Sequence, residues 1–289
     1  MTSTTRWGKR LAEKLARRLG YIVLPAWQEN IIVPPAREHT FHAARYLRRL
    51  FDLLAIDCVI DVGANLGQYR SFLRDEVGYT GVTVSFEPIP SHAQILKDRA
   101  RGDPKWLVEG CALGTAPGTL KLNVMIDTQF SSFLAPSHRE VTLFRDNNKI
   151  CEQIEVEVRT FDTVIPMVRD RFGAENIYVK LDTQGFDLEV IRGAEQHRDK
   201  IQALQFEASV RQIYDGAPRY DEVIRHCEQH GFPMSGIFPN NAGFFPILVE
   251  FDCFMVRREW GAANAIRTGT GRLRRPPIAG EDEAGNGAE

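Results

Sequence analysis

The chain has 289 residues, 43% apolar and 26% charged, with a formal net charge of −2. That apolar content excludes disorder throughout and suffices for one sizeable core with appendages. The balanced charge gives no general attraction to a phosphate backbone, so nucleic acid is not an expected partner and small molecules fit better.

In chain order, Trp7, Leu11, Leu15 and Leu19 recur every four residues among lysines and arginines, which predicts an amphipathic helix stopped by Gly20. Its apolar stripe is expected to dock on the core, with weak contact to an anionic membrane surface as the alternative. A linker through Pro25, Pro34 and Pro35 leads to a predicted helix from about Phe41 to Leu54. Residues 1–38 therefore read as an N-terminal appendage and 39–258 as the main domain. Residues 259–289, rich in Gly, Pro and acid from about Thr268, read as a disordered tail.

Within the main domain strands and helices alternate. Short buried strands are predicted at Cys58 to Val62, Val82 to Phe86 and Trp106 to Val108, with helices at about Leu66 to Glu76 and Ser91 to Arg101 between them. That order is β-α-β-α-β, a parallel sheet. Thr119 to Met125 and Ile154 to Arg159 alternate apolar and polar residues as antiparallel strands do, with a polar loop between. The α/β pattern then resumes with a strand at Ile177 to Leu181, a helix from Phe186 to about Glu195, a strand at Ala203 to Phe206 and a helix over Tyr220 to His230. A last strand is predicted at Ile247 to Val256, after the turn at Pro239 to Gly243. The five cysteines, Cys58, Cys111, Cys151, Cys227 and Cys253, are scattered without a CxxC pair and read as reduced thiols. No apolar run is long enough for a membrane span and no signal segment is evident, so a cytoplasmic location, possible inner-surface contact aside, is the expectation.

The first strand exits through Asp61, Val62, Gly63, Ala64, Asn65, Leu66, Gly67, Gln68 and Tyr69 into a helix, at the sheet edge where ligands of this architecture bind. Gly63 permits a tight turn and a close backbone approach, and a helix starting near Leu66 would offer unpaired N–H groups. The dinucleotide pattern GxGxxG is absent, because Asn65 stands two after Gly63. Glu87 ends the second strand, 24 positions after Gly63, where a carboxylate can accept from both ribose hydroxyls; Pro88 and Pro90 then turn the chain. The small residues from Glu109 to Gly114, Cys111 and Ala112 among them, would let an adenine ring lie against the backbone.

These residues resemble the FkbM family of methyltransferases. The matching stretches are IDVGANLGQYR, SFEPIP, ALG, FSSFL, VRTFDTV and VKLDTQGFDLEVIRGAE, in the family's order over about residues 58 to 207. The resemblance implies S-adenosylmethionine as cofactor and a Rossmann-like α/β methyltransferase fold: a mostly parallel seven-stranded sheet with an antiparallel last strand and helices on both faces. It also implies O-methylation of a hydroxyl on a sugar, glycolipid or secondary-metabolite acceptor. The candidate cofactor contacts are Asp61, Gly63, Ala64, Asn65, Gly67 and Tyr69 in the first turn, Glu87 and Pro88 after the second strand, Cys111 and Ala112 after the third, and Asp182. Where the family often reads DVEG, this chain has Asp182, Thr183, Gln184 and Gly185. An amide binds a cation far less well than a carboxylate, so no metal is expected.

Methyl transfer needs in-line alignment and removal of the acceptor proton. Asp182, at the carboxyl end of the fourth parallel strand, is the first candidate for base or acceptor anchor. Lys180, on the same face two positions earlier, can orient it or stabilise a developing oxyanion. Glu207 ends the fifth strand and is a second candidate carboxylate. Ser131, Ser132 and Gln184 are candidate acceptor contacts. His226 and His230 have a zinc-compatible spacing but no third ligand nearby, and His230 reads better as a cation at a helix end. His92 reads as an exposed residue of a helix start. The alternatives to a methyltransferase are a nicotinamide-dependent oxidoreductase, which lacks its diphosphate loop here, and a non-catalytic nucleotide-binding module.

Overall fold

The computed structural model describes residues 38–142, 144–239 and 246–258, with short pieces at 14–15, 18–19, 22–23 and 32–33. Most of the predicted N-terminal helix and its linker, and all of residues 259–289, lie outside the described residues. Of that helix, Leu19 N donates to Leu15 O (3.1 Å) in helical register. Among the described residues, no helix is long and apolar enough to cross a membrane.

Helix α1 (Glu38–Leu54) leads into strand β1 (Cys58–Val62), whose five residues are all buried. A left-handed Gly67 delays the next helix: α2 (Gln68–Phe72) starts two residues later than the sequence suggested and continues as a π-turn over Leu73–Val77. Then follow β2 (Val82–Phe86), α3 (Pro90–Ala100) and β3 (Trp106–Glu109). The middle segment is a separate three-stranded sheet of β4 (Ala112–Leu113), β5 (Gly118–Met125) and β6 (Ile150–Arg159), with β5 and β6 antiparallel.

The chain then forms α4 (Phe161–Phe172), a helix absent from the sequence reading because Pro166 interrupts it. Next come β7 (Ile177–Leu181), α5 (Asp187–Arg192) and β8 (Ile201–Ser209). Helix α6 (Tyr220–Gln229) precedes β9 (Met234–Pro239), a strand also not anticipated, and β10 (Glu250–Val256). The seven-stranded sheet has the order β3-β2-β1-β7-β8-β10-β9. Neighbours from β3 to β8 are parallel, whereas β10 runs antiparallel to both β8 and β9. The crossover reverses direction between β1 and β7, and at such a switch point loops diverge and leave a crevice.

Strand alternation gives the two faces different chemistry. One face is apolar along its whole length: Ile60, Val62, Val84, Phe86, Val179, Leu181 and Phe206 pack against Phe161, Ile165 and Val168 of α4, Leu188 of α5 and Val223 of α6. The opposite face starts apolar, with Val59, Tyr178, Ala203 and Phe254 against Leu47, Leu50, Phe51 and Leu54 of α1. It turns polar toward the carboxyl edge. Ser85, Asp61, Lys180 and Gln205 pair in register across four strands, and Glu207 faces Asp252 one row further on. A buried polar belt beside an apolar core needs an internal partner for every group or a ligand above it.

Candidate active site

A cavity of about 970 Å³ opens above this belt, at the switch point. Its first wall is the turn after β1. Gly63 N and Ala64 N both donate to Phe86 O at 3.0 Å, which pulls the turn over the end of β2. Gly63 has φ +82, and a Cβ there would lie 2.0 Å from the Asp182 carbonyl oxygen, so only glycine allows this approach. Asn65 follows at φ +47 and its N–H donates to Glu87 Oε2 (2.7 Å), while Ile89 N donates to Glu87 Oε1 (2.8 Å). Glu87 is only 4% exposed, and burial pushes its carboxyl up to about 7 despite those two N–H groups. Arg99 closes the outside of the turn by donating to Leu66 O (2.6 Å).

A carboxylate oxygen accepts more than one hydrogen bond. Glu87 therefore keeps acceptor capacity on each oxygen at the cavity, which fits a ribose diol. Beside it the cavity is lined by Gly63, Ala64 and Gly67, with little side chain to exclude a ligand, and by the apolar Ala112 and Leu113. Pro88 and Tyr69 complete this part of the wall. These residues fit a nucleoside with a polar tail.

The second wall carries the charges. Lys180 Nζ lies 3.0 Å from Asp182 Oδ2, 3.6 Å from Asp61 Oδ1 and 5.2 Å from the centre of the Tyr69 ring. Burial alone would lower the lysine pKa, but Asp182 and Asp61 outweigh it and hold Lys180 above its ordinary value. Gln184 Nε2 donates to Asp182 Oδ1 (2.8 Å) and to Glu207 Oε2 (3.1 Å). Burial raises Glu207 well above the usual carboxyl range, and Asp182, Glu250 and Asp252 raise it further. The same burial lifts Glu250 to about 7 and Asp252 to about 6.

Three predicted site residues are placed elsewhere. Asp61 shares the polar belt with Lys180, which lies 3.6 Å away, but it is wholly buried and does not line the cavity, and burial raises its pKa. The Cys111 side chain, 1% exposed, packs in the main core, as does Leu113 two positions on, while Ala112 between them takes the other side and borders the cavity. Ser132 is buried, its hydroxyl donating to Gln184 O (2.7 Å) and accepting from Leu134 N (3.0 Å), so it braces a loop instead of meeting an acceptor. Ser131 does line the cavity, although its hydroxyl accepts from Met125 N (3.2 Å). The rings of His226 on α6 and His230 at its C-cap have their centres 4.2 Å apart and neither lines the cavity; burial with the neighbouring His230 pushes His226 down to about 4. His92 on α3 does not line the cavity either. Among the described residues, no group of three or more His, Cys, Asp or Glu is arranged to hold a metal ion.

Sequence reasoning missed Gln205, Tyr214, Glu250 and Asp252. Gln205 accepts from the Tyr69 and Tyr178 hydroxyls (2.9 and 3.0 Å) and donates to Asp252 Oδ1 (3.0 Å). A usable signal existed: polar residues two apart inside buried strands, Gln205 with Glu207 and Glu250 with Asp252, mark one face of a strand turned toward something other than core.

The sequence model of the Methyltransferase FkbM domain matches residues 61–234. Among curated relatives, the 31-O-demethyl-FK506 methyltransferase FkbM of Streptomyces tacrolimicus is 27% identical over 207 residues, 65% of this chain and 77% of that protein. Among solved structures, methyltransferase FkbM from Methylobacillus flagellatus KT is 14% identical with a TM-score of 0.42, over 69% of this chain and 43% of that one. Fibrillarin from Aeropyrum pernix, solved with natively bound S-adenosyl-L-methionine, is 13% identical with a TM-score of 0.39, covering 74% of both chains. The matched segment takes in more than half of the chain, including the Gly63 turn, Glu87, Lys180, Asp182, Gln184 and Glu207 of the cavity, and the chain belongs to the FkbM family of methyltransferases.

Proposed function

We propose that this chain transfers the methyl group of S-adenosylmethionine to a hydroxyl oxygen of a small acceptor, of the sugar, glycolipid or secondary-metabolite kind. The observation that carries the reading is the contact between the two walls. The Gly63 turn meets the Asp182 backbone, so a nucleoside held by Glu87 lies beside the carboxylates Asp182 and Glu207 in one cavity. The name of the Streptomyces relative, which describes methylation of an oxygen, supports the choice of atom.

In this reading Glu87 binds the ribose diol, the Gly63–Gly67 turn with Tyr69 and Pro88 borders the donor, and Ala112 and Leu113 flank the adenine. When bound, the sulfonium supplies an electrophilic methyl group. The acceptor oxygen forms the new C–O bond as the C–S bond breaks, and a carboxylate receives the acceptor proton. Asp182, tied on one oxygen by Lys180 and on the other by Gln184, suits the anchor. Glu207, whose surroundings raise its proton affinity, suits the base, because a carboxylate that holds a proton more tightly is the better acceptor for it. Ser131 adds a hydroxyl at the acceptor side of the cavity.

Calorimetry and thermal unfolding test the donor: S-adenosylmethionine and its demethylated product should both bind and stabilise the protein, by about 2.7 kcal/mol at a hundredfold excess over Kd. Stabilisation by NAD alone would overturn the reading. Transfer from a labelled donor to fractionated sugars, glycolipids and secondary metabolites, with the product analysed by NMR, tests the atom. The expected label is a methyl ether; label found on nitrogen or carbon refutes O-methylation.

A further inference from the structure

The chain leaves β7 for α5 through a turn with Gln184 at φ +53, in the left-handed region where a residue with a long side chain is uncommon. Contacts from three directions hold it there. The Ser132 hydroxyl donates to its backbone oxygen (2.7 Å), the Tyr214 hydroxyl donates to its side-chain Oε1 (2.7 Å), and its Nε2 donates to Asp182 and Glu207. A primary amide nitrogen has two hydrogens, so the two carboxylates engage both. Rotating the amide would turn Oε1 toward two carboxylate oxygens and leave the Tyr214 proton only Phe130 O, 2.8 Å away.

We propose that Gln184 is a positioning residue for the transfer: its amide, oriented by Tyr214, ties Asp182 and Glu207 into one rigid pair and sets how readily Glu207 takes the acceptor proton. This rests on reading the cavity as a methyl-transfer site. Asp182 follows β7 and Glu207 lies on β8, and two anions on adjacent strands repel unless a donor stands between them. The amide is that donor. Among the described residues, Lys180 from β7, Glu250 and Asp252 from β10, and Tyr214 from the loop after β8 also act on Glu207; Gln184 contributes its hydrogen bond without adding charge.

The test is a carbon-13 titration of the Glu207 carboxyl, its signal assigned by its loss in Glu207→Gln, in the wild type and in Gln184→Met, Gln184→Asn and Tyr214→Phe. S-adenosylmethionine affinity is measured on the same samples. Methionine fills the same space without a donor; asparagine keeps the left-handed turn, which it tolerates well, but withdraws the amide. Losing a hydrogen bond to the charged form should move the Glu207 midpoint up by about one pH unit in both Gln184 variants, with donor affinity unchanged. Tyr214→Phe should move it the same way by less. A purely structural role would lower thermal stability and leave the midpoint where it is, and an unmoved midpoint in Gln184→Asn overturns the proposal even if Gln184→Met fails to fold. If the wild type does not bind S-adenosylmethionine, the methyl-transfer reading falls, while the titration still decides whether Gln184 governs the pair.

Discussion

Glu87 is a buried carboxyl whose two hydrogen-bonded N–H groups do not fully compensate for lost water, which places its proton release at about 7. Donor affinity should therefore weaken as pH falls below 7, because a protonated carboxyl accepts fewer hydrogen bonds from a ribose. Glu87→Gln should weaken binding roughly tenfold to a hundredfold and flatten that pH dependence, which calorimetry between pH 5.5 and 8.5 measures, each end about 1.5 pH units from the midpoint. At the other wall, Asp182→Asn and Glu207→Gln should each lower turnover while keeping donor affinity, and the base should cost the larger factor, on the order of 10² to 10⁴. Turnover in the labelled-donor assay, compared with calorimetric Kd, separates the two. Glu87 and the glycine turn were legible in the sequence because backbone geometry restricts what can stand there. Cys111 was misplaced because a motif gives positions along a chain but not which face each one takes, and Asp61 because it does not give depth: the residue shares the belt with Lys180 yet is wholly buried. Glu250 and Asp252 were invisible as partners of Glu207, since only antiparallel pairing of β8 with β10 brings them together.

Among the elements, β1, β2 and β7 were legible because central parallel strands are buried on both faces and read as short runs of Val, Ile and Leu. Helix α4 was not, since Pro166 removes a helical N–H and breaks the expected pattern. Its start did carry a signal: Thr160 N donates to Thr163 Oγ1 (3.3 Å), one half of a capping box, and Phe161, Val164, Ile165 and Val168 form the helical stripe. Thr163→Val should remove that bond and destabilise the protein by about 1 kcal/mol in urea unfolding, with donor affinity unaffected. Strand β9 was hidden by Gly236 and Pro239, and the register of its pairing with β10 shifts between Met234 and Gly236. An edge strand tolerates such residues because one side of it pairs with nothing.

Over the whole molecule, one end of the sheet gathers carboxyls that hold protons more tightly than they do in an unfolded chain. Glu87 and Glu250 release theirs at about 7 and Asp252 at about 6, so the stability they lend is complete below the ordinary carboxyl range and is lost as pH rises through 6 to 7. His226 acts oppositely, but only below its ordinary value of about 6.5, since its native pKa is lowered to about 4. Between pH 6.5 and 7.5, across the Glu87 and Glu250 midpoints, the ligand-free protein should therefore lose stability, by at most about 1.4 kcal/mol per pH unit for each of these groups, and a saturating cationic donor should flatten the decline. Denaturant melts across that window measure both. The missing side chain at Gly63 has a further consequence. If, as proposed, this bend borders the donor and Asp182 anchors the acceptor, only main chain stands between the two, and the span a methyl group must cross is set by two neighbouring strands. On that reading acceptors of different bulk would be accommodated at the opposite end of the cavity, where diversity of substrate could evolve without disturbing the reach of the reaction.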